Sequence, residues 1–290
     1  MLEFLSMAAN TAGQAVSGGS ASVQPGQMSA KADFTVVFIL ISLVVSIALP
    51  IVFVLWGKIK LKGSAKQVCA GMLGFVLFKA MLPAIISVIL FPRFLDQSAS
   101  SFEAGVQVVI IVICTELGRF LLLFLSRKKR TEFGNAVTLG SGYCIMEVLI
   151  VVVGFLIPYL LVAVGSEGGS IDGLYRELRV FVMSDNLVSG KEWRFLVKGF
   201  ICIVFGLLQI NTSVMMFTAV QKRKYWITIL PVLFSLLIMI PNKMSGFEVW
   251  HWGNLAVILP YMGIVTVIGC LSAYYFWNTE YKEVPSEPKL

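Results

Sequence analysis

Long apolar runs alternate along the chain with short polar and often basic interruptions. A bilayer core about 30 Å thick takes about 20 apolar residues to cross as a helix. Seven segments reach that length or come close to it: 34–56, 68–91, 104–125, 136–164, 199–220, 226–240 and 254–277. The sixth is short and begins close to Pro231, so it is expected to tilt little or to be shielded by its neighbours. The pattern predicts an all-α, polytopic membrane protein of about seven transmembrane helices. It divides into a mobile arm at 1–33, a membrane domain at 34–277 and a tail at 278–290. The arm is rich in Ala, Gly, Ser and Gln. It lacks the basic start and long apolar core of a cleaved signal peptide. The longest loop, 165–198, carries both charge signs, and the spacing from Leu174 to Phe181 predicts a short surface helix within it.

Composition strengthens this picture. Hydrophobic residues make up 58% of the chain and charged residues 13%, about half the share in soluble domains. That leaves too little polar surface to face water, so lipid is the expected solvent. The net charge of +7 does not point to nucleic acid, because the basic residues sit in short loops between apolar runs. Lys58, Lys60, Lys62 and Lys66 follow the first span, Arg127, Lys128, Lys129 and Arg130 the third, and Lys222, Arg223 and Lys224 the fifth. Such alternate loops share one side, which the positive-inside rule makes cytoplasmic. The amino terminus and the long loop are then outside and the carboxyl tail inside. Trp250, His251 and Trp252 fit the outer aromatic belt.

The five cysteines, Cys69, Cys114, Cys144, Cys202 and Cys270, all fall in apolar runs without close pairing. They read as buried apolar thiols. His251 is the only histidine, so a multi-histidine metal site within this chain is excluded. No cofactor motif is present, and no inverted pair of broken helices supports a secondary transporter.

Four charges lie within the predicted spans: Lys79, Glu116, Arg119 and Glu147. A charge at the bilayer centre costs at least about 2.5–3.5 kcal/mol, so it has a partner or a role. The four sum to zero. Glu116 and Arg119 are three apart and can pair on one helix face, and Glu147 can reach Lys79 across helices. Either the set is a neutral knot that locks helices together, or it lines a cavity in which two glutamates act as acid and base or hold a cation. Thr115, Tyr143, Gln209, Asn211 and Ser213 are near enough in sequence to join it. Their default role is interhelical hydrogen bonding. Gly140 and Gly142 allow the fourth helix a close approach to a neighbour.

Several motifs carry a resemblance. They are Pro50, the stretch Gly71-Met72-Leu73-Gly74-Phe75-Val76-Leu77-Phe78, Thr115-Glu116-Leu117-Gly118-Arg119-Phe120, and Gly140-Ser141-Gly142-Tyr143-Cys144-Ile145-Met146-Glu147. Gln209-Ile210-Asn211-Thr212-Ser213, followed by the Lys222-Arg223-Lys224 loop, adds a fifth. In order and spacing the chain resembles the YhfC family of bacterial membrane proteins over most of 35–245. That family stands near the CAAX-protease and bacteriocin-processing intramembrane metalloproteases. The resemblance implies a double glutamate and an arginine on helix three, a Gly-x-Gly-His motif ending in glutamate on helix four, and further histidines later. Here Thr115, Tyr143 and Gln209 stand where a glutamate and two histidines are expected, and the later histidine is missing. Glu116, Arg119 and Glu147 remain.

A catalytic zinc site takes three protein ligands and a water, and tyrosine and glutamine are poor ligands. Three readings follow. One is a protease-like fold without protease chemistry, serving as a binding or scaffold subunit beside a membrane protein partner in the bacterial cytoplasmic membrane. The second is a protease built on Glu116 and Glu147, although Arg119 beside Glu116 favours its ionised form over a shared proton. The third is a carrier of a small molecule, lipid or ion using the charge cluster.

Overall fold

The computed structural model describes residues 29–90, 101–127, 133–161, 193–244 and 255–278. Residues 1–28 of the arm, most of the 165–198 loop, the Trp250–His251–Trp252 belt and the final residues lie outside them.

Every regular element among the described residues is helical. In chain order they are α1 (Ser29–Ile59), α2 (Ala65–Leu90), α3 (Ser101–Ser126), α4 (Gly134–Leu161), α5 (Trp193–Gln221), α6 (Ile229–Met244) and α7 (Leu255–Phe276). Six contain a stretch long and apolar enough to cross a membrane. The shorter apolar stretch Tyr225–Pro241 runs from a 3-10 turn, Tyr225–Thr228, into α6. The chain is therefore a polytopic membrane protein. Its helices show why: Val44, Ile89, Leu125, Ile229 and Leu271 are each more than half exposed, an arrangement that water would penalise and hydrocarbon does not.

Two boundaries differ from the sequence reading. α1 begins at Ser29, inside the arm expected at 1–33. α5 begins at Trp193, inside the loop expected at 165–198. Arg194 and Lys198 break the hydropathy there, but Phe195 and Val197 are buried and the helix continues through them. The thiols also differ. Cys114, Cys144 and Cys202 are buried, but Cys69 is exposed on α2 and Cys270 is only partly covered. A thiol tolerates the lipid-facing surface because that surface is also apolar.

The chain forms two compact units. The first takes residues up to Leu49 together with Glu147–Ile203. Within it the Ser42 hydroxyl donates to the Phe195 carbonyl at 2.6 Å. The rings of Phe155, Tyr159 and Phe195 pack together with centroids 4.5–6.1 Å apart.

The second unit takes Pro50–Met146 and Val204–Leu290. Its loops are tied at one end. The Ser64 amide donates to Asn135 Oδ1 at 3.1 Å, Gln67 Nε2 to Ser126 Oγ at 3.3 Å, and Gln221 Nε2 to the Arg127 carbonyl at 3.4 Å. A Cβ at Gly134 would lie 2.5 Å from the Gly63 amide nitrogen, so glycine lets these turns touch. Lys62 and Arg223 turn the chain here with left-handed φ of 55° and 56°. The three basic loops thus share one end of this unit.

Candidate functional site

The site lies wholly in the second unit and begins on α3. Glu116 stands near the middle of the apolar span Gly105–Ser126, and Arg119 follows on the same face. Both are buried, with 3% and 0% of their side chains exposed. Arg119 Nη1 donates to Glu116 Oε2 at 2.5 Å. Its other terminal nitrogen, Nη2, donates to Gln209 Oε1 on α5. The guanidinium lies 4.6 Å from the centre of the Tyr143 ring on α4. Glu116 Oε1 accepts from the Ser235 hydroxyl on α6 at 2.8 Å. The Glu116–Arg119 pair thus joins residues of four helices. A guanidinium suits this because its planar fork can serve an acid, an amide and an aromatic face together.

Small residues make the approach possible. A Cβ at Gly140 would lie 2.7 Å from the Ile210 Cα and 2.8 Å from the Gln209 carbonyl oxygen, so α4 touches α5 beside Gln209. Gly74 does the same for Tyr143: a Cβ there would meet the phenol oxygen at 2.7 Å. Phe75 then closes on the Tyr143 ring edge-on at 6.2 Å. The Tyr143 hydroxyl and Arg119 Nε find no hydrogen-bond partner among the described residues.

The remaining sequence-predicted residues make other contacts. Thr115 donates back to the Ile111 carbonyl of its own helix at 2.6 Å, and Ser213 to the Gln209 carbonyl at 2.8 Å. Such bonds satisfy the hydroxyl inside its own turn. Asn211 points to α7, with Nδ2 3.1 Å from Cys270 Sγ. Lys79 lies in a π-helical stretch of α2, Phe75–Met81, with its ammonium 5.1 Å and 5.7 Å from the ring centres of Phe75 and Phe205. Glu147 belongs to the first unit. Ser235 was not anticipated. Its signal is nonetheless in the chain, as the only hydrogen-bonding side chain between Thr228 and Asn242.

A pocket of about 310 Å³ opens beside this cluster. Ile113, Leu117 and Phe120 of α3 form one wall, and Met216, Thr228 and Val232 another. Glu116 and Tyr225 also line it.

Against known families, the model for the YhfC intramembrane metalloprotease matches residues 45–258. The match spans well over half of the chain and holds the whole Glu116–Arg119–Tyr143–Gln209–Ser235 cluster. The chain belongs to the YhfC family. No curated protein and no solved structure matches it.

The name of the YhfC family implies a metal, and the cluster does not suit one. Both Glu116 oxygens are engaged, one by Arg119 and one by Ser235. The Gln209 side-chain oxygen, Oε1, is taken by Arg119. A fixed positive charge occupies the centre of the donor set, where it repels a second cation. Among the described residues no three His, Cys, Asp or Glu side chains come together. A catalytic zinc needs three such donors and an open position.

Proposed function

We propose that this YhfC-family chain is a non-hydrolytic membrane protein with an intramembrane-protease-like fold, acting as a binding or scaffold subunit of a membrane complex. The carrying observation is how the Arg119 guanidinium, with Ser235, engages the donor set, leaving neither Glu116 nor Gln209 Oε1 an open oxygen toward a metal. The guanidinium neutralises Glu116, holds Gln209 and covers Tyr143. Without a metal, bound water is not acidified toward a pKa of about 7, and peptide hydrolysis lacks its nucleophile. The pocket beside Glu116 supports binding instead. The bacterial cytoplasmic membrane is the proposed setting, with the basic end of the second unit facing the cytoplasm.

Two measurements on full-length protein test this reading. Reconstituted in vesicles with zinc present, the purified chain is expected to leave transmembrane peptides uncut. Extracted gently from native membranes, it is expected to bring a stoichiometric membrane partner. Cleavage that disappears in Glu116→Gln would overturn the proposal.

A further inference from the structure

From the pocket beside Glu116, α3 runs on toward the basic end of the same unit. Residues 113, 117, 120, 124 and 127 recur at three- and four-residue steps, so they form one stripe on α3. Ile113 and Leu117 are about half exposed, so the pocket is open sideways to hydrocarbon. Phe120 stacks on Phe124 at 5.7 Å and meets Tyr225 edge-on at 6.0 Å. The stripe ends in a charge: the Arg127 guanidinium lies 4.4 Å from the centre of the Phe124 ring. From Glu116 to Arg127 the helix rises about 16 Å. Lys222, Arg223 and Lys224 precede Tyr225 at this end, and Arg223 and Lys224 are exposed. Among the described residues, the second unit's other carboxylate is Glu103, in the opposite first turn of α3.

We infer that this pocket binds one acyl chain of an anionic phospholipid, with the phosphate held by Arg127 and the Lys222–Arg223–Lys224 turn. Charge and size both argue for this occupant. Basic pockets between membrane helices recognise anionic headgroups. The walls around Ile113, Leu117 and Val232 are apolar and suit a hydrocarbon chain. Glu116 does not oppose it, since Arg119 and Ser235 neutralise and bond that carboxylate. A partner helix, about 10–12 Å across, is too wide to enter a pocket of about 310 Å³. The inference deepens the binding reading by naming a ligand class. Its readout is lipid occupancy, which stands or falls separately from peptide cleavage.

The full-length chain is reconstituted in phosphatidylcholine vesicles with a trace of phosphatidylglycerol carrying a photoreactive group on one acyl chain. Crosslinks are expected on Ile113, Leu117 and Val232, displaced by plain phosphatidylglycerol and not by added phosphatidylcholine. Leu117→Trp fills the pocket and is expected to lower labelling about tenfold. Replacing Lys222, Arg223 and Lys224 together by Gln is expected to lower the preference for the anionic lipid about a hundredfold. Leu149→Trp, on an exposed face of α4, should change neither. Unfolding midpoints of all variants identify any that misfold, and Leu117→Ser then replaces a misfolded Leu117→Trp with the same expected loss. Equal displacement by both lipids, or undiminished labelling in a folded pocket variant, would overturn the inference. Stronger displacement by a hydrophobic helical peptide would do so too, by making a helix the occupant.

Discussion

Arg119 carries a guanidinium that sits where water cannot reach it. Such a residue is stable only while its partners are in place. Arg119→Ala leaves Glu116 buried with only Ser235, and breaking a buried pair in this way costs about 3–5 kcal/mol. Arg119→Lys should recover little, because an ammonium cannot serve Glu116, Gln209 and the Tyr143 face in one plane. Ser235→Ala should cost less, about 0.6–1.7 kcal/mol for one intramembrane hydrogen bond. Unfolding titrations in mixed micelles with dodecyl sulfate measure all three. An Arg119→Ala protein as stable as the parent would show that the arginine does not hold the cluster. Much of this was legible in the sequence. Two opposite charges three apart in an apolar run have few other solutions, which is why the Glu116–Arg119 pair could be anticipated. Ser235 was not, because a lone serine in an apolar run looks the same whether it bonds its own helix, as Thr115 and Ser213 do, or another. That choice is made by which face of α6 meets α3.

At the scale of whole helices, the glycines of α4 set how closely the scaffold approaches Gln209. Gly140→Ala puts a methyl against the α5 backbone at 2.7–2.8 Å, where no side chain can move aside. The expected loss is about 1–3 kcal/mol, with Tyr143 and Gln209 drawn out of register. Gly105→Ala is the contrasting case, since nothing lies within 4 Å of the added methyl. It should be neutral or stabilising by up to about 1 kcal/mol through helix propensity. The two variants measured together separate a close helix contact from a general need for glycine. Helix existence was readable from hydropathy, and the close approach of α4 from its Gly-x-Gly spacing. The start of α5 was not, because Arg194 and Lys198 interrupt an apolar run whose alternate residues, Phe195 and Val197, are nevertheless buried.

For the molecule as a whole, the three basic loops were expected on one side from their alternation, and in the second unit their turns meet. Which side of the membrane that is rests on charge. With Cys69 replaced by Ser, Lys60→Cys and Arg223→Cys should react with an impermeant thiol reagent only after cells are permeabilised. Labelling of intact cells would reverse the orientation. Family membership was visible in the motifs, and the departures from it, Tyr143 and Gln209, were visible as well. The sequence could not show that Arg119 reaches Gln209, since those residues are ninety positions apart and meet only through helix packing. That contact turns missing histidines into a site with its own resident cation. The most direct test is therefore the zinc content of the purified chain after equilibration with buffered zinc, compared with Glu116→Gln. The account predicts well under one zinc per chain, with no difference between the two proteins. One tightly held zinc per chain, lost in Glu116→Gln, would contradict it.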